Sequence, residues 1–440
     1  MPIIETLNRW TPQEAGFRPE ALAALDEHFR KLVADRRMQC GSYLIAREGR
    51  IFAEAAFGSR TFRAGSASES GSASGSESAA VAESSSGTDS SPAADSEAAP
   101  QSSSAPASED DLLRTDSIRR IASITKLFVA VGIFQLIEQG KLNLRQPVSH
   151  WIEEFKHPKH AGIRVWHLLT HTSGIWPDPG YYTEPYPFGS WDVRFAFEPE
   201  SEGPFAVKDE EAALKLRRSA WIRAMLAGSP GGEPGREWRY SSIGYSVLGE
   251  IISRASGMPF ETYILRHITE PLGMSRTFFE VPEALHGEVC VTIDWDERRL
   301  TDKRDRTFDP PRAGGGLHST LGDLFKFGQM LLDNGVYGGT RILSRKSVER
   351  MTRDHLAGQD VFGFCWGGRV PAMKHGLGPG LTGDDEWYAP GSYGHEGAGR
   401  SKLLLDPSRR AVIVYFVPSN LDWVPESLLM TNNLIGSGWQ

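Results

Sequence analysis

The chain has 440 residues, 40% of them hydrophobic and twelve of them tryptophan, enough for a sizeable core in one large domain or two moderate ones. No run of about 18 uncharged apolar residues appears, and MPIIETLNRW lacks a basic stretch followed by an apolar one; the expectation is no transmembrane helix, no secretory signal and a cytoplasmic location. The net charge of −8 owes everything to nine acids between 64 and 111, a stretch without lysine or arginine; without them the balance is +1, which argues against nucleic acid or an anionic membrane as partner.

In chain order, PEALAALDEHFRKLVADRR has helical periodicity, and GSYLIAREGRIFAEAAFG reads as two strands around a Glu-Gly turn. Residues 64–111 are low-complexity Ser/Ala/Gly/Glu with one valine and no aromatic. Such a segment cannot bury enough apolar area to offset the ordering of its backbone, so it is expected to be a disordered, solvated insert. Ser117 to Gln139 is a long apolar helical stretch stopped by Gly140, and helical patterns follow at 211–227, 241–256 and 259–271. STLGDLFKFGQMLLDNG opens on a Ser/Thr cap and closes at Asn334-Gly335. RSKLLLDPSRRAVIVYFVP gives two apolar strands joined by Asp-Pro-Ser, a hairpin. Strands at both ends and helices between them predict an α/β (α+β) fold. Its sheet domain is discontinuous, 1–63 with 290–440, and a mainly helical region spans 112–289. Cys40, Cys290 and Cys365 are far apart in sequence, have no metal spacing, and suit reduced thiols better than a disulfide framework.

Within IASITKLFVA, Lys126 stands three residues after Ser123, on the same face of a helix. A serine hydroxyl needs a base to become a nucleophile, and a lysine among Ile121, Ile124, Leu127 and Phe128 is desolvated toward its neutral form. No other serine in the chain has a lysine three residues on. The competing reading is a helix-capping serine beside a lysine that snorkels to water.

Together with IASITK, the segments LLTHTSGI, PGREWRYSSIGYSVLGEII, AGGGLHSTLGDLFKFGQMLL and GHEGAGRSKLLLDP resemble the serine β-lactamase and penicillin-binding-protein-like hydrolases. The nearest branch is the class C-related one, with its esterases, D-aminopeptidases and D-Ala-D-Ala carboxypeptidases. The resemblance covers nearly the whole chain outside 64–111. It implies a β-lactamase/transpeptidase-like fold, an antiparallel sheet flanked by helices plus a helical region, with the active site between them. It also implies Ser123 as nucleophile, Lys126 as base and Tyr240 as proton shuttle. Tyr-x-Asn of the family stands here as Tyr240-Ser241-Ser242, so Ser242 takes the substrate-binding position of the asparagine. The third family element, often Lys-Thr-Gly, falls on His395-Glu396-Gly397. His395 would then bond the tyrosine or the substrate side and titrate near neutrality, and Gly397 would let substrate pass close. The backbone N–H groups of Ser123 and Ala398 would form the oxyanion hole. Lys374-His375-Gly376 competes for the third element, but its Gly/Pro-rich context favours His395.

No cofactor and no metal is expected. His167 and His171 have helical i, i+4 spacing but no H-E-x-x-H glutamate, and read as structural, with His171 bracing its turn. The Pro/Gly-rich aromatic stretch 176–197 is either a lid over the cleft, with Tyr181, Tyr182, Tyr186 and Trp191 as substrate contacts, or a loop packed on the helices. AGGGLHST has no Gly-Lys-Ser/Thr and is no phosphate loop; it suits close backbone approach beside the cleft. The activity expected is hydrolysis of a small ester, amide or D-amino-acid peptide through an acyl-enzyme on Ser123. The alternatives are a β-lactamase or D-Ala-D-Ala carboxypeptidase, and a non-catalytic acyl-ligand or penicillin-binding protein on the same fold.

Overall fold

The computed structural model describes residues 9–61, 111–175, 209–228, 233–292, 294–301, 303, 309–358, 361–365, 368–370, 374–382, 387–418 and 426–440. The stretch read as a disordered insert lies outside them except for Asp111, and the aromatic stretch 176–197 lies wholly outside them.

Six antiparallel strands form the main sheet: β1 (Cys40–Arg47), β2 (Arg50–Gly58), β3 (Gly380–Leu381), β4 (Tyr393–Gly397), β5 (Ser401–Asp406) and β6 (Ala411–Phe416), in the order β3-β4-β5-β6-β1-β2. The two ends of the chain meet where β1 pairs with β6, Ser42 opposite Phe416 and Arg47 opposite Ala411. Residues alternate sides along a strand. Tyr43 and Ile45 of β1 and Ile413 and Tyr415 of β6 face a core with Leu25 and Phe29 of helix α1 (Pro19–Ala34) and Ile435 near the C-terminus. Leu44, Ala46, Val412, Val414, Leu403 and Leu405 face the larger core on the other side. Burial on both faces accounts for the nearly unbroken apolar runs of β5 and β6.

The larger core is built on helix α2 (Thr125–Glu138), apolar all round and buried at every position from Thr125 to Phe134. Such a helix is stable only inside a protein. Against it pack helix α3 (Ser242–Ser256) and helix α4 (Leu321–Leu332). Caps fix both: Ser241 Oγ accepts from the Gly244 N–H, and Thr320 Oγ from the Asp323 N–H. Gly257, at φ 77°, closes α3 in the left-handed conformation that costs glycine little.

Three expected helices differ in detail. The stretch 211–227 is two short helices, Glu210–Arg218 and Ala220–Gly228, and 259–271 is a five-residue helix, Phe260–Ile264, that widens into a π-turn over Leu265–Thr269. The stretch 117–139 is helical only from 122. Arg119 and Arg120 pair with Ser319 and His318 as a two-residue ladder, and Ala122–Ile124 is a 3-10 turn entered through Ala122 at φ 43°. Apolar periodicity cannot register the second break, because the turn is as buried as the helix it precedes.

Candidate active site

Ser123 and Lys126 therefore stand on either side of a 3-10 to α junction. In a 3-10 turn, i and i+3 eclipse, which brings the two side chains closer than an α-helix would. The turn is clamped on both sides. The Ile121 N–H donates to the Leu317 carbonyl, and the Leu317 N–H to Thr125 Oγ at 3.1 Å. Ser401 Oγ, at the start of β5, donates to the Ile121 carbonyl. A Cβ on Gly397 would overlap both that carbonyl and Ser401 Oγ, so only glycine lets the end of β4 lie against the turn. Ala398 follows in the turn that joins β4 to β5.

Lys126 is wholly buried, and its Nζ lies 3.0 Å from Ser123 Oγ, 2.9 Å from Ser242 Oγ and 2.6 Å from the Gly314 carbonyl. The snorkelling alternative is thereby excluded. The amine also sits 4.7 Å from the ring centre of Tyr240 and 5.5 Å from that of Tyr245. A neutral amine has two N–H donors and one lone pair. Here the donors can serve Ser242 and Gly314 while the lone pair faces the Ser123 hydroxyl. Ser242, expected on substrate, is engaged by the lysine. Gly314 was legible only as a glycine run; its role is to bring a carbonyl close, since a Cβ there would lie 2.7 Å from the Ser242 Cβ.

Tyr240 ends the segment that precedes α3, and histidines surround it. The His171 ring is 4.6 Å from the Tyr240 ring and 5.1 Å from that of Tyr245, and the His395 ring is 6.1 Å from Tyr240 on the other side. His171 adopts φ 57°, and its Nδ1 accepts from the Ser241 N–H at 3.1 Å. It thus braces the tyrosine-bearing segment, while its carbonyl accepts from the Arg239 N–H. Burial, with His375, Lys126 and His395 nearby, holds its pKa well below the usual histidine range. His167 does not join it in a metal site: its Nδ1 accepts from the Arg164 N–H in a capping arrangement. Among the described residues no cluster of three or more metal-binding side chains occurs.

His395, on β4, donates from Nδ1 to the Glu396 carbonyl at 2.6 Å when its proton is on that nitrogen, which leaves Nε2 as an acceptor. Titration near neutrality was expected of it. Desolvation at the site, the largest cause, lowers its pKa to about 3, so it is neutral across the physiological range. His375, from the competing triplet, is buried behind the site, 5.4 Å from His171, with its pKa lowered to about 4 by burial; Lys374 is exposed. The structure thus gathers Ser123, Lys126, Tyr240, Ser242 and His395 at one place, with Gly397 and Ala398 beside the serine turn. Tyr181, Tyr182, Tyr186 and Trp191 lie outside the described residues.

The Beta-lactamase family profile matches residues 25–423. Protein Rv1367c of Mycobacterium tuberculosis is 30% identical over 333 residues, 67% of this chain and 75% of its own length. Esterase EstB of Burkholderia gladioli is 34% identical over 227 residues, 46% of this chain and 54% of the esterase. Among solved structures, EstCE1, described as a hydrolase with promiscuous acyltransferase activity, superposes with a TM-score of 0.63 at 17% identity, covering 95% of this chain and 99% of its own. A penicillin-binding protein homologue from Caulobacter crescentus gives 0.62 at 18%, covering 96% and 98%. At such identities the superpositions speak for the fold, a β-lactamase/transpeptidase-like arrangement of antiparallel sheet and helices, and no helix among the described residues is long and apolar enough to cross a membrane. With the profile matching most of its length, the chain belongs to the beta-lactamase family.

Proposed function

We propose that the protein is a serine hydrolase that forms an acyl-enzyme on Ser123 and acts on a small ester, amide or D-amino-acid peptide. One observation carries the reading: a lysine with no solvent exposure holds its amine 3.0 Å from a serine hydroxyl. Burial of Lys126 favours the uncharged amine, which takes the Ser123 proton as Oγ attacks the carbonyl. Tyr240, whose ring stands against the amine, passes that proton to the leaving group. The backbone N–H groups of Ser123 and Ala398 stabilise the developing oxyanion. His395, neutral, accepts at Nε2 from the phenol or from a substrate N–H. Water then enters along the leaving-group path and releases the acid. Gly397 leaves room for substrate along β4.

An esterase or peptidase is preferred to a β-lactamase or carboxypeptidase because the third element carries His395 where many relatives have lysine; the similar proteins include both an esterase and D-alanyl-D-alanine carboxypeptidases and do not decide between them. The test is covalent labelling with a fluorophosphonate. The expected result is one adduct on Ser123, absent in Ser123→Ala. An unlabelled serine in folded protein would leave a non-catalytic acyl-ligand binder as the reading. A panel of p-nitrophenyl esters, D-amino-acid amides and a chromogenic cephalosporin ranks the substrate classes, and turnover of the cephalosporin above the esters would reverse the preference.

A further inference from the structure

Cys40 and Cys290 are 250 residues apart in the chain, yet their sulfurs lie 3.5 Å from each other, both as free thiols and both buried. Cys40 opens β1. Cys290 is held by its own N–H to the Ile118 carbonyl at 2.7 Å, just after the Ile118 N–H bonds the Glu288 carbonyl. Leu113 and Ala56 cover the pair. A disulfide has its sulfurs about 2 Å apart, so small side-chain rotations would close the gap.

The second observation is the cation beside them. Arg119 is buried, 5% exposed, and among the described residues no carboxylate lies within ion-pair distance of it. Its guanidinium stacks over Phe416, one Nη donates to the Gly399 carbonyl at 3.1 Å, and the other points at the Cys290 sulfur at 3.8 Å. Its Nε has no hydrogen-bond partner. A buried guanidinium without a carboxylate is costly unless something nearby carries negative charge. Asp296, ion-paired with Arg120, supplies part of that charge from beyond ion-pair distance, and a Cys290 thiolate is the group that the Arg119 guanidinium touches. Either sulfur can donate in the contact between them; consistent with a Cys290 thiolate, the neighbouring thiol and Arg119 lower the Cys290 pKa against burial and Asp296, which raise it, while Cys40 is raised. A stabilised thiolate is the reactive form of cysteine.

We propose that Cys40 and Cys290 form a hydroperoxide-reactive pair that closes reversibly to a disulfide, with Cys290 as the attacking sulfur. The Cys290 thiolate attacks the distal oxygen of a small uncharged hydroperoxide, breaking the O–O bond. It becomes a sulfenic acid, and the leaving alkoxide or hydroxide takes a proton to depart as alcohol or water. Cys40 then attacks that sulfur through its thiolate, its thiol proton and the departing hydroxide together leaving as water. Two thiols and one hydroperoxide thus give one disulfide, one alcohol or water, and one water. The oxidant must be small because the pair is buried. The bond would tie β1 to the segment that precedes Thr292. It would also remove the negative charge facing Arg119, the residue that holds the Gly399 carbonyl beside Ala398.

The experiment treats reduced full-length protein with hydrogen peroxide, then alkylates it unfolded and maps the peptides. The expected product has lost two hydrogens, carries one alkyl group, on Cys365, and contains a Cys40–Cys290 linked peptide that dithiothreitol dissolves. Alkylation of all three cysteines, or a link through Cys365, would overturn the proposal. In Cys40→Ser, dimedone is expected to trap a sulfenic acid on Cys290, whereas Cys290→Ser should leave Cys40 unmodified. Dimedone on Cys40 instead would reverse the assignment of the attacking sulfur. The wild-type mapping needs no variant, so misfolding of either serine variant cannot hide the result.

Discussion

A fully buried lysine is expensive unless its polar atoms find partners, and Lys126 meets that condition: its amine can donate to Ser242 Oγ and the Gly314 carbonyl and turn its lone pair to the Ser123 hydroxyl. Replacing it with alanine removes the proposed base and is expected to lower kcat by about 10²–10⁴-fold, measured on a p-nitrophenyl ester with the fold checked by circular dichroism. His395 leads to an expectation about pH. Its pKa, lowered to about 3, puts its protonation outside the working range, so it supplies no ionisation between pH 5 and 8. The pH profile of kcat/KM for His395→Asn should keep the same midpoints over that interval at a lower plateau. Disappearance of a midpoint near 6.5 in the variant would show that the histidine does titrate there.

At the scale of elements, the site is an intersection of segments that are close only because small residues let them be. Gly314 and Gly315 bring one loop against Ser242 and Ala122, Gly397 brings β4 against Ile121, and Ala122 accepts a left-handed backbone to start the serine turn. Gly314→Ala would set a Cβ 2.7 Å from the Ser242 Cβ and push the Lys126 acceptor away. Overpacking of this kind costs about 1–3 kcal/mol, readable by urea unfolding, and any turnover of a p-nitrophenyl ester should fall further than Gly314→Ala stability alone explains. On the sheet, Leu403 of β5 is wholly buried in the larger core. Leu403→Ala should cost about 2–5 kcal/mol in the same measurement, with Ser123 still labelled by fluorophosphonate while the protein is folded.

For the whole molecule, the histidines packed around the site, His171 and His375 buried and His395 partly so, set a dependence of stability on acid. His171, His375 and His395 all have folded-state pKa values below their unfolded values, chiefly because burial disfavours the cation. The unfolded chain therefore binds more protons. The stability these groups contribute is complete above about pH 6.5 and is lost as pH falls toward their folded pKa values, about 4 for His375. Each contributes a slope of roughly 1.4 kcal/mol per pH unit inside that window. Thermal unfolding midpoints should drop between pH 6.5 and 4, and His375→Gln should make the drop shallower. A midpoint flat over that range would mean that these rings are accessible to protons in the native state.

Several features needed only the sequence. The strands at both ends, the capped helix ending at Asn334-Gly335 and the buried helix after Ser123 follow from apolar periodicity and from Gly, Ser and Thr chemistry, which act over a few residues. The S-x-x-K spacing and the tyrosine and histidine segments were likewise legible, because a motif is local and the family's order of segments is linear. What the sequence could not fix is which carbonyl meets the lysine, that Ser242 would be held by it, that His395 would lose its neutral-range titration, and that Cys40 would meet Cys290. Each depends on burial or on contacts between residues more than a hundred positions apart, and only the packed tertiary structure decides both.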